Sequence, residues 1–243
     1  MRKVRVNRTG MLVAFRGMCF TLVACLLISC GVATLFHEEC VKEEAMVLMR
    51  DSTVKSGRAL LPDYRGKSFR LLLDEGRRTK ISSEQVEQLR LKKGNNPASV
   101  FVYVPYKDRA GKEHPAVWMN CLGIGQHLKI AVIAGSWHYD KAGELEAVTF
   151  ADGYAYIVGV KEDGKGLYLT TLGSGRTVMV RALCKFLADD VVLCHKITSK
   201  EVDAMDFAEV CRLYVPDNGV EGCYHVCLPN ENDKLSAVKG GAL

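Results

Sequence analysis

Between Ala116 and Asp140 the chain reads AVWMNCLGIGQHLKIAVIAGSWHYD, two short apolar runs (Ala116 to Leu122 and Leu128 to Ala134) separated by Gly123, Gly125, Gln126 and His127. Runs of this length, rich in β-branched residues and bounded by turn formers, predict a β-hairpin whose second strand is largely buried. Gly135 and Ser136 break that strand, so Trp137 and His138 fall on the turn just beyond a rigid sheet. Catalytic groups concentrate on such turns because the scaffold holds them still while the loop leaves them accessible.

A hairpin with one buried face needs further strands to cover it, and the downstream sequence supplies candidates. Leu145 to Phe150, Tyr154 to Val160, Gly166 to Leu172 and Thr177 to Leu183 are alternating or apolar runs, parted by Asp152-Gly153, Asp163-Gly164 and Gly173-Ser174-Gly175. In Leu187 to Lys196, LADDVVLCHK, an acidic pair leads into another apolar run that reads as a strand, and a carboxylate at a strand start can orient an imidazole. Many short strands at a spacing of roughly 8 to 12 residues predict an all-β barrel or sandwich. Upstream, Ser82-Ser83-Glu84-Gln85 has the form of a capping box, with Val86 and Leu89 on one helical face, and Asn95-Asn96-Pro97 would stop that helix. Ser99 to Val104 reads as the first barrel strand, and Asp108 to Gly111 as the turn that follows it.

The first eighty residues have a different character. Arg2, Lys3, Arg5, Arg8 and Arg16 make residues 1–16 a basic tail, and residues 17–36 carry no charge at all. About 20 apolar residues at 1.5 Å each match a bilayer's hydrocarbon core, and basic residues on one flank favour a cytoplasmic position for that end. Residues 37–81 open acidic and helical around Glu38 to Arg50. From Thr53 to Lys80, eight Lys or Arg then face three acids, the pattern of an exposed linker. Leu27-Ile28-Ser29-Cys30-Gly31 also has the form of a bacterial lipoprotein cleavage box. Much of the net charge of +5 sits in this N-terminal third. The ten cysteines include no CxxC pair, which argues against a zinc ribbon, and their scattered spacing reads as reduced thiols. No metal ligand set and no cofactor motif emerges.

Two segments, Trp118-Met119-Asn120-x-Leu122-Gly123 and Asp190-Val191-Val192-Leu193, in this order around His138, resemble the N-terminal barrel of picornaviral 3C-type cysteine proteases, most closely the hepatovirus type. The resemblance spans roughly residues 82 to 214. It implies a chymotrypsin-like β-barrel at 82–198, with an inter-barrel connection and the start of a second barrel at 199–243. It implies His138 as general base and Asp190, or its neighbour Asp189, as the acid that orients the imidazole. The family's Gly-x-Cys-Gly-Gly nucleophile turn is absent. Cys223 lacks the flanking glycines of an oxyanion hole, so the chain is expected to be a polyprotein fragment that ends before its nucleophile and is inactive alone.

Under the same resemblance, residues 17–36 would anchor the protein to a host intracellular membrane with the protease facing the cytoplasm. Tyr64, within Leu61-Pro62-Asp63-Tyr64-Arg65-Gly66-Lys67, would be the nucleotide-accepting tyrosine of a genome-linked peptide. The substrate would be viral polyprotein, cut at Gln- or Glu-containing junctions. Lys200 to Phe207 is acidic where the family's RNA-contacting element is basic, which argues against RNA binding there. The rival reading is a non-enzymatic, membrane-anchored, lipoprotein-like β-domain that binds a partner.

Overall fold

The computed structural model describes residues 42–218, which from Glu44 onward belong to one compact unit. The anticipated transmembrane segment at 17–36, the lipobox-like sequence at 27–31 and the segment around Cys223 lie outside the described residues. No helix among the described residues is long and apolar enough to cross a membrane.

The unit is mostly β. Alternation of apolar and polar residues generates strands β1 (Glu43–Met49), β2 (Val54–Ala59), β3 (Ser68–Leu72), β4 (Arg78–Ser82) and β5 (Val86–Lys92). They are followed by β6 (Ser99–Lys107), β7 (Glu113–Ile124), β8 (Lys129–Ile133), β9 (Ser136–Tyr139), β10 (Leu145–Val148), β11 (Tyr156–Val160) and β12 (Gly166–Thr171). Three helices close the described chain: α1 (Arg176–Phe186), α2 (Val191–Thr198) and α3 (Phe207–Leu213). Ten strands share one sheet in the order β12-β11-β8-β7-β6-β5-β1-β2-β3-β4, while β9 and β10 pair as a separate hairpin.

The organising strand is β6. Its first residues pair with β5 (Leu89↔Phe101, Leu91↔Ser99), whereas its last two pair in parallel with β12 (Gly166↔Tyr106, Leu167↔Lys107). Strands β6, β7, β8, β11 and β12 therefore return on themselves as a closed five-stranded barrel. A meander with an odd number of strands brings its first and last strands together running the same way, so the closing pair has to be parallel. The exchange of partners falls at Pro105, between Val104 and Tyr106, where the β6–β7 register shifts. Proline donates no hydrogen bond and is tolerated at such an irregularity.

Period-2 alternation sorts the barrel wall into two cores. Val102, Val117, Met119, Ala131, Ile133, Val158 and Val160 fill the interior. Their neighbours Phe101, Trp118, Ile130, Val132 and Ile157 face outward, into a larger core shared with Val47, Leu71 and Leu89 of the N-terminal sheet and Met179, Leu183, Leu193 and Val210 of the helices. Each such side chain, fully buried, stabilises the fold by roughly 1.5–3 kcal/mol. At the seam only glycine fits inside: a Cβ on Gly166 would stand 2.7 Å from Val158 Cγ1 and 3.0 Å from Tyr106 Cβ. On the outer wall, a Cβ on Gly123 would lie 2.1 Å from the Phe207 carbonyl oxygen, and one on Gly125 1.9 Å from that of Cys211. The two glycines thus form the bed on which α3 rests against β7.

The Ala116–Ala134 hairpin and the runs at 99–104, 145–150, 154–160 and 166–172 are strands as expected; Trp137 and His138, expected on a turn, lie instead in strand β9, where pairing with β10 extends the backbone, and five further segments differ. Glu43–Met49 is strand rather than helix, because Ala45, Val47 and Met49 all turn inward at period 2. The expected linker at 53–80 contributes β2, β3 and β4, with Ala59, Leu71 and Ile81 buried. After a single 3-10 turn at Ser83–Gln85, Val86–Lys92 is strand β5 instead of helix. The Ser82 side chain makes no cap, and the Ser83 hydroxyl donates instead to the Gly66 carbonyl at 2.6 Å. Finally, Thr177–Leu183 and Val191–Leu193, expected as strands, lie in α1 and α2. Met179, Leu183 and Leu187 are buried at successive i+4 spacings, as are Leu193 and Ile197, so helical periodicity prevails over β-branched composition.

Candidate functional site

His138 sits on β9 directly opposite Glu146 of β10, and its Nε2 lies 2.9 Å from Glu146 Oε2. Both side chains are more than half exposed. Such an exposed cross-strand contact on a solvated hairpin contributes at most about 1 kcal/mol.

Asp190 is elsewhere engaged. It is fully buried and caps α2: Oδ1 accepts from the Leu193 backbone N–H at 2.9 Å and from Asn218 Nδ2 at 3.1 Å, while Oδ2 accepts from the Val215 N–H at 2.9 Å. The expected pairing of His138 with Asp190 is therefore replaced by two separate contacts, because Asp190 begins a helix rather than a strand. Its neighbour Asp189 also has partners of its own. Both carboxylate oxygens accept from Lys161 Nζ, at 2.6 and 2.7 Å, and Oδ2 accepts from the Tyr214 hydroxyl at 2.6 Å. Partial burial raises the Asp189 pKa, but the bonds from Lys161 and Tyr214 outweigh it and hold the carboxyl below the usual aspartate value. Lys161 Nζ further lies 5.0 Å from the Phe186 ring centroid and 5.2 Å from that of Tyr214. This cluster ties the helices to β11 and lines a cavity of about 470 Å³.

Tyr64 is half-buried, not the exposed tyrosine of a linker. Its ring meets Phe150 edge-on at 5.0 Å, and its hydroxyl lies 3.4 Å from that of Tyr106. It belongs to a continuous line of aromatic rings around one end of the barrel. His114 stacks on Tyr106 at 4.7 Å, Phe150 stacks on Tyr156 at 5.5 Å, and Tyr156 meets Tyr168 edge-on at 5.9 Å.

Beside this line opens a cleft of about 840 Å³. It lies where β6 runs out, between the Asp108–Ala110 turn, the start of β7 and β11, and the end of β12. Tyr106, Tyr154, Tyr156 and Tyr168 line it together with His114 and the hydroxyls of Thr170, Thr171 and Ser174. Ser174 Oγ lies 2.7 Å from Thr170 Oγ1 and 2.9 Å from Thr171 Oγ1. His114 Nε2 is 2.8 Å from Asp108 Oδ2, a bond that holds Asp108 below its ordinary pKa. The hydrogen bond from Tyr156 to Asp152 pushes the Tyr156 phenol up to about 12, and burial with the Tyr64 contact raises that of Tyr106 further. At neutral pH the cleft therefore offers the protonated phenols of Tyr106 and Tyr156, aliphatic hydroxyls and a hydrogen-bonded Asp–His pair. Arg109 supplies the cation at its rim.

Clefts of this size at the mouth of a β-barrel, aromatic-walled with a few placed polar groups, are characteristic of small-molecule sites. The cleft was not anticipated from the sequence. Five of the nine tyrosines (64, 106, 154, 156 and 168) gather around this end of the barrel, yet they come from four separate segments. The one local signal was Tyr154-x-Tyr156 at a strand start. Among the described residues no group of three or more His, Cys, Asp or Glu is arranged to hold a metal ion. Comparison with known proteins found no family model, no curated protein and no solved structure that matches this chain.

Proposed function

We propose that this protein is a non-enzymatic β-module, held at a membrane through residues 17–36, whose tyrosine-lined cleft binds a neutral, hydroxyl-rich ring ligand of the saccharide class. The observation that carries the reading is the cleft wall itself, four tyrosines and a histidine together with a part-buried, mutually bonded hydroxyl trio. Flat rings accept the apolar face of a sugar, while phenols and aliphatic hydroxyls satisfy its rim. The near absence of unpaired charge disfavours an ionic ligand. A chymotrypsin-like peptidase reading retains the β7–β8 hairpin but would have to detach His138 from Glu146 and Asp190 from the α2 cap.

The test is calorimetric titration of the full chain in detergent with neutral hexose and N-acetylhexosamine oligosaccharides. Saturable binding is expected, weakened at least tenfold by Tyr154→Ala and by Tyr168→Ala and unaffected by His138→Ala. Absence of binding across the panel, or affinities unmoved by both tyrosine changes, would overturn the reading. So would cleavage of a glutamine-junction peptide that is lost in His138→Ala.

A further inference from the structure

Where α1 and α2 meet, two thiols that no other feature of the molecule employs face each other. Cys184 lies in the last turn of α1 and Cys194 in the first half of α2, and the intervening Leu187 to Asp190 reverses the chain so that the helices pack side by side. The two thiols lie close enough to influence one another's titration, Cys194 lowering the Cys184 pKa and Cys184 raising that of Cys194. Cys194 Sγ also lies 3.5 Å from the Cys184 carbonyl oxygen and 3.3 Å from that of Leu187, and Cys184 Sγ lies 3.8 Å from the Cys194 carbonyl oxygen. Each sulfur thus already reaches the main chain of the other residue, the proximity that a disulfide with an S–S distance of about 2.05 Å requires of its two partners. Both residues are only partly buried, so a small oxidant can reach them, unlike Cys211 in the core.

We propose that Cys184 and Cys194 are a disulfide-forming pair that staples α1 to α2 when the domain meets an external disulfide such as oxidised glutathione. The neighbouring Cys194 favours the Cys184 thiolate, whereas Cys184 and burial hold Cys194 protonated, so the two sulfurs have distinct roles. The Cys184 thiolate attacks one sulfur of the external disulfide, forming a mixed disulfide and expelling one thiolate. Cys194 then loses its proton to solvent and attacks the Cys184 sulfur, expelling the second thiolate. Two protein thiols are oxidised and one external disulfide is reduced to two thiols, the two protons lost by Cys184 and Cys194 passing through solvent to the two expelled thiolates.

The experiment treats the full chain in detergent with oxidised glutathione, blocks remaining thiols, and maps tryptic peptides without reduction. Trypsin cuts after Arg181, Lys185 and Lys196, so the bond would join Ala182–Lys185 to Phe186–Lys196 in one ion, about 2 Da lighter than the two peptides summed and separated by dithiothreitol. Oxidised protein should also melt several degrees higher than reduced protein, with the rise absent in Cys194→Ser. In that variant Cys184 should instead carry glutathione, which shows that the first step survives alone. Recovery of the two peptides unlinked after oxidation, or linked only to other cysteines, would overturn the proposal. So would glutathione found on Cys194 rather than Cys184 in the respective single serine variants, which would remove the assignment of roles.

Discussion

Replacing Asp190 with alanine tests whether this carboxylate is a joint of the fold. The change removes the α2 cap, which costs about 1 kcal/mol by itself. It also strands the Val215 N–H and the Asn218 amide, each partly buried and bonded to a carboxylate oxygen in the native protein. An orphaned donor costs about 1–3 kcal/mol, and the lower end applies where water has partial access. The sum is about 3 kcal/mol, a large share of a typical domain's stability. Asp190→Asn keeps one carbonyl acceptor for Leu193 but turns an amide toward another donor, so about half that loss is expected. Urea denaturation of the full chain in detergent, followed by fluorescence of Trp118 and Trp137, reads the difference directly, since both indoles are buried. The midpoint should fall with an unchanged slope, and the order should be wild type, then Asn, then Ala. An alanine variant within about 0.5 kcal/mol of wild type, the range of ordinary surface substitutions, would refute the reasoning.

Gly123→Ala and Gly125→Ala should each lift α3 from β7, because the new methyl meets a main-chain carbonyl at about 2 Å. A loss of about 1–3 kcal/mol is expected for each, with faster amide exchange in Phe207–Leu213, while Gly175→Ala, which meets nothing within 4 Å, should change little. Asp189 has a folded pKa below its unfolded value, so its stabilising contribution is present above the unfolded value near 4 and is lost as pH falls through the folded one. Asp189→Asn should therefore lower the melting temperature at neutral pH, and its deficit should shrink as the pH drops below about 4; a deficit independent of pH would contradict the assignment.

The portion of the fold legible in the sequence was the part where local pattern and tertiary demand agree. In β7, β8 and β11, the apolar runs are strands because both faces are buried, one in the barrel and one under helices or the neighbouring sheet. Errors arose where propensity and periodicity disagreed. Val191-Val192 looks like a strand by composition, yet Leu193 and Ile197 at i+4 spacing under an Asp cap make a helix. The basic residues of 53–80 suggested a solvated linker, but they occupy the outward positions of strands whose Ala59, Leu71 and Ile81 point inward. The cleft was illegible for a different reason. Tyr156 and Tyr168 meet across the β11–β12 hairpin, but Tyr106 joins them only through barrel closure, a long-range pairing that no local window contains.

That closure shapes how the chain must reach its native state. Tyr106 meets Gly166 across 166 − 106 = 60 residues, whereas β6, β7 and β8 zip together through neighbouring hairpins. Loop-closure entropy delays the distant pairing, and until it forms the far ends of β6 and β12 are open sheet edges. Newly made chains are thus most exposed to strand exchange with one another in the interval before β12 arrives, which ends when Gly166 docks against Tyr106.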